Sequence, residues 1–541
     1  MGLAVLIASP AVRAQEPVWD DTRRTLWPEG FEVVEIPSTA DGTVQKAYFR
    51  RAPDRKPQPL IVSLHTWSGD YTQKDPLAAE VLARGFNYIH PDFRGANNKP
   101  GATGSPLVLS DIEDAIRYAL EYSNSDPEHV HIIGVSGGGM ATLAAYMNLD
   151  YPVRSFSAWA PISDLEAWYW ESVGRGQKYA QDILDSVSAD GEFDAEEARR
   201  RSPLYQAFPM EKRAGAQLYI YTGIHDGYTG SVPITHSIAM YNRLVREMKS
   251  GNASAAPRDD WYRRMDADLV GEDEIISLLA RRFNPACDPA DLLNDRAVYL
   301  RRDYKNIHLA LFEGGHEMLP RALSMIPFTN RTSDLERNIV TIGDSNGANP
   351  GGWVDQLRVL LPGSAIFNIS QGGRTIGFDN NGREELNALR CIDSYLDRAA
   401  EHLEGERCDY LVLCLGTNDT KAEFAGRQGE VTENFGKLLD KMVQHPFTRQ
   451  SRPALVFVTP PPMGVEDMQE KYVGGNGRLA VLVPQLAEIA GKKGFTVIDV
   501  YHPLQAVFRT YAPDGVHMVP EGQEIVAQKI AGCIEQLENG D

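Results

Sequence analysis

The 541-residue sequence has little cysteine, no long apolar run and a deficit of positive charge. Its five cysteines form no CxxC pair, so they define neither a disulfide framework nor a zinc site. We expect buried thiols at Cys287, Cys391, Cys408, Cys414 and Cys533. No apolar run reaches the roughly 18 residues of a membrane-spanning helix, so we expect no such helix. The formal net charge of −20 argues against nucleic acid or an anionic membrane as a partner.

The first 14 residues resemble the end of a secretory signal. Leu3–Ala8 form a short apolar core, and Val12–Ala14 offer a small-residue cleavage site. We therefore expect residues 1–14 to be a signal-peptide remnant and the protein to be periplasmic or secreted. Because a basic segment before the apolar core is missing, an apolar leader on a cytosolic protein is the alternative.

Strands and helices alternate through the first three hundred residues. Pro59–Leu64 and His129–Ile133 are predicted strands, and Ser110–Tyr122 is a predicted helix that starts with a capping box of Ser110 and Glu113. This alternation is typical of a largely parallel sheet covered on both faces. At 541 residues the chain has room for two to four domains.

A G-x-S-x-G motif, Gly134–Gly138, follows the strand at His129–Ile133 and precedes a predicted helix. Such a turn exposes its serine, here Ser136, at the end of a strand. Downstream, Asp226 and His316 each follow a buried strand, in the order serine, acid, histidine. We predict that Ser136 is the nucleophile, that His316 is its general base and that Asp226 orients the imidazole.

The oxyanion formed at Ser136 needs two backbone N–H donors. One is expected from Gly137, directly after the nucleophile. The other is expected from the loop His65–Ser68, with Thr66 and Trp67 as the candidates.

Residues from about 30 to 325 resemble an α/β-hydrolase of the kind that includes prolyl-oligopeptidase-like peptidases and acetylxylan or feruloyl esterases. The resemblance depends on Pro91–Gly95, Gly134–Gly139, Asp226 and Gly315–His316. About 50 residues precede the first strand, too few for the β-propeller of the oligopeptidases. This difference counts against a peptidase.

An insertion at about 164–210, rich in aromatic residues, is predicted to cap the first active site. Trp168 and Trp170 are its candidate substrate-binding residues, and an ordinary surface helix pair is the alternative interpretation. His129 and His131 share one face of a strand, but no third metal ligand accompanies them. We therefore expect no metal, and hydrolysis by a serine needs no organic cofactor.

A second nucleophile candidate, Ser345, follows the predicted strand Ile339–Ile342. Further motifs stand downstream in a fixed order: Gly372–Thr375, Leu415–Lys421, Thr459–Pro462 and Asp514–His517. From 338 to 541 the chain resembles the SGNH (GDSL-type) hydrolases, in particular their arylesterase and acetylxylan-esterase branch. The resemblance implies a three-layer α/β/α flavodoxin-like fold.

The resemblance also implies the residue roles in this second domain. Ser345 is the nucleophile, His517 the base and Asp514 the residue that orients the base. The oxyanion hole is formed by the N–H of Ser345, the N–H of Gly373 and the amide of Asn418, and Gly372 remains the alternative to Gly373. Arg374 is assigned either to substrate binding or to a neighbouring carboxylate.

The sequence thus predicts two α/β domains, an α/β-hydrolase at 15–328 and an SGNH hydrolase at 338–541, joined by a linker at 329–337. We predict a bifunctional serine esterase that removes acetyl or feruloyl groups from acylated plant polysaccharides such as xylan. One alternative is that a single domain is catalytic and the other is a scaffold or binding module. Another is that the first domain is a lipase, thioesterase or peptidase. The sequence leaves the acyl group and the oligomeric state open.

Overall fold

A computed structural model describes residues 27–53, 57–251, 266–284, 286–326 and 337–539. The predicted signal remnant and positions 329–336 of the predicted linker lie outside these residues. The chain divides into two compact units: the first extends to Ala322, apart from Leu82–Arg84, and the second comprises the remainder. Each unit is described by itself below.

The first unit alternates strands and helices, as its sequence predicts. Its strands are β1 (Glu32–Pro37), β2 (Val44–Arg50), β3 (Gln58–Leu64), β4 (Asn87–Pro91), β5 (Ser125–Val135), β6 (Ser155–Trp159), β7 (Ser188–Ala189), β8 (Glu192–Phe193), β9 (Gln217–Gly223), β10 (Leu292–Leu293), β11 (Arg296–Tyr304) and β12 (Ile307–Phe312). Its helices are α1 (Leu77–Arg84), α2 (Pro106–Tyr122), α3 (Gly137–Asn148), α4 (Leu165–Gly174), α5 (Tyr179–Val187), α6 (Ala195–Arg201), α7 (Met210–Arg213), α8 (Thr235–Ser250) and α9 (Glu272–Arg281).

Among the described residues, ten strands form one sheet in the order β1-β2-β4-β3-β5-β6-β9-β12-β11-β10. The strands from β4 to β12 in this order pair in parallel, and the two strands at each edge are antiparallel. Leu64 pairs with Gly134, Val135 with Trp159, and Gly223 with Phe312. The central strands therefore end at one level, which brings the loops that follow them to a common edge.

The core of the first unit forms where the apolar strands meet the apolar faces of the helices. β5 contributes Val130 and Ile132, and α2 contributes Ile112 and Ile116. The predicted start of α2 is wrong, because the helix begins at Pro106, four residues upstream of Ser110. Its N-cap is Ser105, and a proline follows in the first turn, where a missing N–H costs nothing.

The second unit is a fully parallel α/β structure. Its strands are β13 (Arg337–Gly343), β14 (Ser364–Asn368), β15 (Tyr410–Cys414), β16 (Ala454–Val458) and β17 (Thr496–Ile498). Its helices are α10 (Ser345–Ala348), α11 (Trp353–Leu360), α12 (Ala388–His402), α13 (Gln428–Gln444), α14 (Pro446–Ser451), α15 (Gly475–Lys492), α16 (Tyr501–Leu504), α17 (Phe508–Tyr511) and α18 (Pro520–Asn539).

The described strands of this unit pair in the order β14-β13-β15-β16-β17, all in parallel. Parallel strands need crossover helices, and these pack as two groups, α11 with α18 and α12 with α13 and α15. The predicted flavodoxin-like fold is therefore confirmed. β13, β14 and β15 end side by side, so the loops after them share one edge of the sheet.

The cysteines and the hydrophobic helices agree with an ordinary globular interior. All five cysteines are free thiols, of which Cys408 and Cys414 are buried and the other three partly buried. In the part of the chain that the structure describes, no helix combines the length and the hydropathy needed to cross a bilayer.

Candidate active sites

Ser136 occupies a strained turn between β5 and α3. Its backbone angles are φ 58° and ψ −118°, which an L-residue adopts only under constraint from its surroundings. That constraint includes the Ser136 N–H, which donates to the Trp159 carbonyl at 2.9 Å. Backbone strain at a nucleophile between a strand and a helix is typical of α/β-hydrolases.

Asp226 and His316 lie together because β9 and β12 are neighbours in the sheet. The Nδ1 of His316 is 2.8 Å from Oδ2 of Asp226, whose side chain is fully buried. The other carboxylate oxygen, Oδ1, accepts from the N–H groups of Gly227 at 2.9 Å and Val232 at 3.0 Å. Asp226 is thus held by three donors, and one of them is the imidazole that it has to orient.

Gly230 is a residue that reasoning from the sequence missed in this arrangement. A Cβ at Gly230 would lie 2.3 Å from Asp226 Oδ1 and 2.7 Å from His316 Cβ, closer than atoms can approach. Glycine is therefore required for the loop after Asp226 to pass the catalytic pair. A glycine close to the acid in the sequence was the available signal.

The loop His65–Ser68, here called the oxyanion loop, lies against the N-terminus of α3. A Cβ at Gly137 would be 2.5 Å from the backbone nitrogen of Trp67, so the two peptide N–H groups are close neighbours. The N–H of Thr66 is already engaged, because it donates to Gln73 Oε1 at 2.8 Å. Of the two predicted second donors, Trp67 is therefore the one that the geometry favours.

The orientation of the Trp67 N–H follows from the peptide that precedes it. The carbonyl of Thr66 accepts from the Gly69 N–H at 3.1 Å and lies 2.9 Å from His65 Nδ1. Because a trans peptide is planar, its N–H and C=O point in opposite directions. Fixing the Thr66 carbonyl therefore also fixes the direction of the Trp67 N–H.

The two tryptophans predicted to bind substrate occupy different environments. Trp168 is completely buried, and its indole N–H donates to the Ser231 carbonyl at 2.9 Å. It packs the insertion onto the acid loop and has no surface for a substrate, so the prediction for this residue is wrong. Trp170 is 57% exposed and lies edge-on to Tyr169, with the ring centroids 4.9 Å apart.

In the second unit, Ser345, His517 and Asp514 form a continuous hydrogen-bonded set. The hydroxyl of Ser345 is 2.9 Å from His517 Nε2, and His517 Nδ1 is 2.7 Å from Asp514 Oδ2. Serine and histidine are 172 residues apart in the chain. This arrangement is the one a general base needs to accept the proton of an attacking hydroxyl.

Asp514 remains ionised beside the imidazole. Partial burial favours its neutral form, but hydrogen bonds from the ring and backbone of His517 and from the backbone of Val516 outweigh that effect. Together they lower the pKa of Asp514 below its usual value. An anionic Asp514 stabilises the imidazolium that forms when His517 takes the serine proton.

The loop after β14 passes directly beside the nucleophile. A Cβ at Gly372 would be 3.8 Å from Ser345 Cβ, and Gly373 has a φ of +83°, which favours glycine. The amide of Asn418 donates to the Arg374 carbonyl at 3.1 Å, which leaves its second N–H for another acceptor. Gly372 therefore lies beside Ser345, and Asn418 is bound to the same loop through Arg374.

Arg374 is buried, and its guanidinium contacts neither a carboxylate nor the surface. It donates to the carbonyls of Ile369 and, at 3.4 Å, Gly343, and it lies 4.2 Å from the centroid of the Tyr395 ring. Its burial argues against contact with a substrate. Burial raises the pKa of the Asp344 carboxyl, and the charge of Arg374 is one of the effects that oppose this shift. Arg374 ties the ends of β13 and β14 together below the nucleophile.

Asn346 is a residue that the sequence argument missed. Its Oδ1 accepts from the Met518 N–H at 3.2 Å and from Gln523 Nε2 at 2.6 Å, and its Nδ2 donates to the Val516 carbonyl at 3.4 Å. Val516 and Met518 flank His517, so the residue after the nucleophile holds the base from both sides. A polar residue at the fourth position of a GDSL-type motif was the only signal.

The carboxylate of Asp419 holds the loop after β14 by accepting from the backbone of that loop. Both of its carboxylate oxygens lie 2.9 Å from the Ile376 nitrogen. Burial raises the pKa of Asp419 to about 7. The carboxyl is therefore close to half-protonated near neutral pH.

The described residues contain no cluster of three or more His, Cys, Asp or Glu side chains that could bind a metal. The predicted candidate pair has other partners. His129 Nδ1 lies 3.0 Å from Asp126, and His131 Nδ1 lies 2.7 Å from the hydroxyl of Ser155. Burial lowers the pKa of His131 to about 3, as expected for a neutral histidine inside a sheet.

A strained serine turn in one unit and a hydrogen-bonded Ser–His–Asp set in the other are features found in serine hydrolases. Residues 75–258 match the Prolyl oligopeptidase family, and residues 340–525 match the GDSL-like Lipase/Acylhydrolase family. The chain therefore contains an α/β unit with a segment similar to the first family, followed by an α/β unit with a segment similar to the second. The resemblances inferred from the sequence motifs are confirmed.

Individual proteins match parts of the chain. A 122-residue segment, 22% of this chain and 42% of its relative, is 28% identical to the uncharacterized protein YfhR of Salmonella typhi. A 186-residue segment, 34% of the chain and 65% of its relative, is 24% identical to the uncharacterized peptidase YtmA of Bacillus subtilis. The chain thus spans less than two thirds of the length of either relative.

Two solved structures also resemble parts of the chain. Est24, a carbohydrate acetylesterase from Sinorhizobium meliloti, is 20% identical, with 37% of this chain and 99% of Est24 covered and a TM-score of 0.31. The acylaminoacyl peptidase of Pyrococcus horikoshii is 19% identical, with 42% of this chain and 36% of the peptidase covered and a TM-score of 0.33.

Proposed function

We propose that the chain is a double serine esterase with two independent sites, Ser136–His316–Asp226 and Ser345–His517–Asp514. The observation that carries the proposal is the hydrogen-bonded Ser345–His517–Asp514 set. The strained turn at Ser136 and the His316–Asp226 contact support the same chemistry in the first unit. Because each set belongs to one compact unit, neither site needs the other for its residues.

Each site transfers an acyl group in two steps. The serine oxygen attacks the ester carbonyl while its proton moves to Nε2 of the histidine, and the alcohol then leaves with that proton. Water attacks the acyl-enzyme in the same way, which releases the carboxylic acid and restores the serine. The negative oxygen in each step is stabilised by Gly137 and Trp67 in the first site, and by Ser345, Gly373 and Asn418 in the second.

The substrates we propose are acetyl or feruloyl esters of plant polysaccharides such as xylan. Support comes from the motifs Gly372–Thr375, Leu415–Lys421 and Thr459–Pro462, which resemble the arylesterase and acetylxylan-esterase branch. We assign small acetyl esters to the second site. Bulkier or aromatic acyl groups are assigned to the first site, where Trp170 of the insertion is exposed. A polysaccharide substrate fits the periplasmic or secreted location that we propose from residues 1–14.

The test is a pair of nucleophile variants, Ser136→Ala and Ser345→Ala, assayed on acetylated xylan, feruloylated arabinoxylan and short p-nitrophenyl esters. Each variant should lose one activity and keep the other, because removing a nucleophile costs about 10⁶ in kcat in a well-studied protease. A fluorophosphonate probe should label two serines in the wild type and one in each variant.

If Ser345→Ala removes all ester hydrolysis and Ser136→Ala removes none, the first unit is a scaffold or binding module and the proposal fails. Peptide hydrolysis at Ser136 is the second candidate function, favoured by the match to the Prolyl oligopeptidase family. Turnover of peptide p-nitroanilides but not esters by Ser345→Ala would establish it instead.

A further inference from the structure

The second helix of the insertion reaches the oxyanion loop of the first unit. The indole N–H of Trp67 donates to Oδ2 of Asp182, on α5, at 3.1 Å. One turn earlier, Lys178 donates to the hydroxyl of Ser68 at 2.5 Å. Two adjacent residues of the oxyanion loop are therefore bound by side chains of one helical turn.

Apolar contacts reinforce this attachment. Trp67 is 1% exposed and meets the Trp168 ring edge-on, with the ring centroids 4.7 Å apart. Tyr179 lies 6.4 Å from Trp67 and stacks on Trp168. The side chain of Trp67 is thus enclosed by the insertion, while its backbone contacts the nucleophile turn.

The backbone of Trp67 is fastened from the opposite side. Its carbonyl accepts from the N–H of Asn97 at 2.8 Å, and the preceding carbonyl, of Thr66, is held by Gly69. These contacts set the average direction of the Trp67 N–H. The bulky indole belongs to the same residue, so its position also affects the backbone. If the indole changes rotamer, the strain passes to the peptide that carries the N–H.

We propose that Asp182 is a positioning residue of the first active site. Its carboxylate holds the Trp67 indole, and through the indole it keeps the Trp67 N–H aimed at the oxyanion beside Gly137. The insertion is then part of the catalytic apparatus, and it acts on the transition state and not only on substrate access. The inference rests on the proposed function of the Ser136 site.

The expected effect follows from the role of an oxyanion donor. Complete loss of such a donor costs about 10²–10³ in kcat, so a misaimed donor should cost about tenfold. The oxyanion exists only in the transition state, so the loss should fall on kcat and leave KM within about twofold.

The test uses the full chain with Ser345→Ala, so that all turnover comes from Ser136. In this background Asp182→Leu should lower kcat about tenfold, and Asp182→Asn, whose amide oxygen still accepts from the indole, should restore most of it. Asp185→Leu is the matched control: Asp185 lies on the same helix and accepts from Gln181 at the exposed surface, so kcat should not change.

A double-mutant cycle separates positioning from general destabilisation. Trp67→Phe keeps a ring in place but removes the indole donor. If Asp182 acts through that donor, Asp182→Leu combined with Trp67→Phe should lower kcat no more than the larger single change. Should Asp182→Leu fail to fold, the Asp182→Asn and Trp67→Phe variants still decide the matter. Full activity of Trp67→Phe would overturn the proposal.

Other outcomes are equally decisive. If the Ser345→Ala protein is active and Asp182→Leu leaves its kcat unchanged, Asp182 has no positioning role. The same conclusion follows if the losses of kcat simply add in the cycle. Either result would leave the esterase proposal intact. If the Ser345→Ala protein hydrolyses no ester and is not labelled by a fluorophosphonate, the proposed function of the first site fails, and this inference fails with it.

Discussion

Asn346 shows how one residue can organise a catalytic site without touching the reacting atoms. Its side chain joins the turn of the nucleophile to both residues that flank the catalytic histidine. It is 1% exposed, so its partners cannot turn to water when it is removed. A buried donor left without an acceptor costs about 1–3 kcal/mol. Relaxing that cost would move His517 away from Ser345.

We therefore expect Asn346→Leu, in a Ser136→Ala background, to lower kcat about tenfold or more and to lower Tm by several degrees. The measurement is kcat and KM on a short acetyl ester, with thermal unfolding followed in parallel. Asn349→Leu, at an exposed position on the same loop, is the control and should change neither quantity. A fully active Asn346→Leu would show that the His517 loop holds its position alone.

Trp168 and Arg374 show, also at the residue scale, why a side chain's chemistry does not give its role. An aromatic residue in an insertion and an arginine beside a nucleophile are reasonable ligands for a sugar or an anion. Both are instead buried, and both use their donors on backbone carbonyls. Their N–H groups find acceptors that no sequence pattern reveals.

At the scale of elements, the second active site depends on how the loop after β14 is tied to the loop after β15. Asp419, directly after β15, provides the tie through the Ile376 N–H. The same carboxyl is fully buried, which disfavours its charged form. The loop is therefore held by a group whose charge changes near neutral pH.

This predicts a pH dependence of stability with a defined sign. Burial raises the pKa of Asp419 from 3.8 to about 7, so the folded protein binds the proton more tightly than the unfolded chain between these values. The contribution of Asp419 to stability should then fall as the pH rises through this window, by up to about 1.4 kcal/mol per pH unit. Well below pH 3.8 the group is protonated in both states, and its contribution is constant.

The check compares wild type with Asp419→Asn by urea unfolding at several pH values from 4 to 8. The stability of the variant relative to the wild type should rise with pH, because the variant has no buried charge to form. Asp393→Asn, at an exposed carboxylate that pairs with Lys441, is the control and should give a constant difference. A constant difference for Asp419→Asn as well would contradict the assigned pKa.

At the scale of the whole chain, the second unit contains a complete set of sheet, helices and triad. Its first strand begins with Arg337, whose buried guanidinium pairs with Glu538 on α18, at 2.7 Å for the Nη2 contact. An ion pair therefore joins the N-terminal strand of this unit to its C-terminal helix. A fragment that omits Arg337 would leave the carboxylate of Glu538 without this partner.

We expect the fragment 337–541 to fold alone and to hydrolyse short acetyl esters with the kcat of the full-length protein, because its residues make up most of one compact unit. The fragment 338–541 should fold but melt at a lower temperature. Circular dichroism, thermal melts and esterase assays of both fragments provide the measurement. Insoluble or inert 337–541 would show that the first unit is needed for the fold of the second.

The sequence by itself determined the two α/β architectures and supplied one candidate nucleophile for each. Serine turns such as Gly134–Gly138 and Gly343–Asn346 are local: a buried strand, a tight turn and a helix start lie within about a dozen residues. The order of acid and histidine along the chain then selected partners at the ends of other strands. A strand–turn–helix motif consists of consecutive residues, so it can be recognised without a structure.

Tertiary structure alone decided which side chains support these sites. Asn346 meets residues about 170 positions away, Trp67 meets Asp182 across 115, and the burial of Trp168 and Arg374 depends on segments that packing brings together. Burial and hydrogen-bond partners are set by contacts between distant segments, and local periodicity carries no record of them. The candidate triads could therefore be named from the sequence, while the residues that surround and hold them could not.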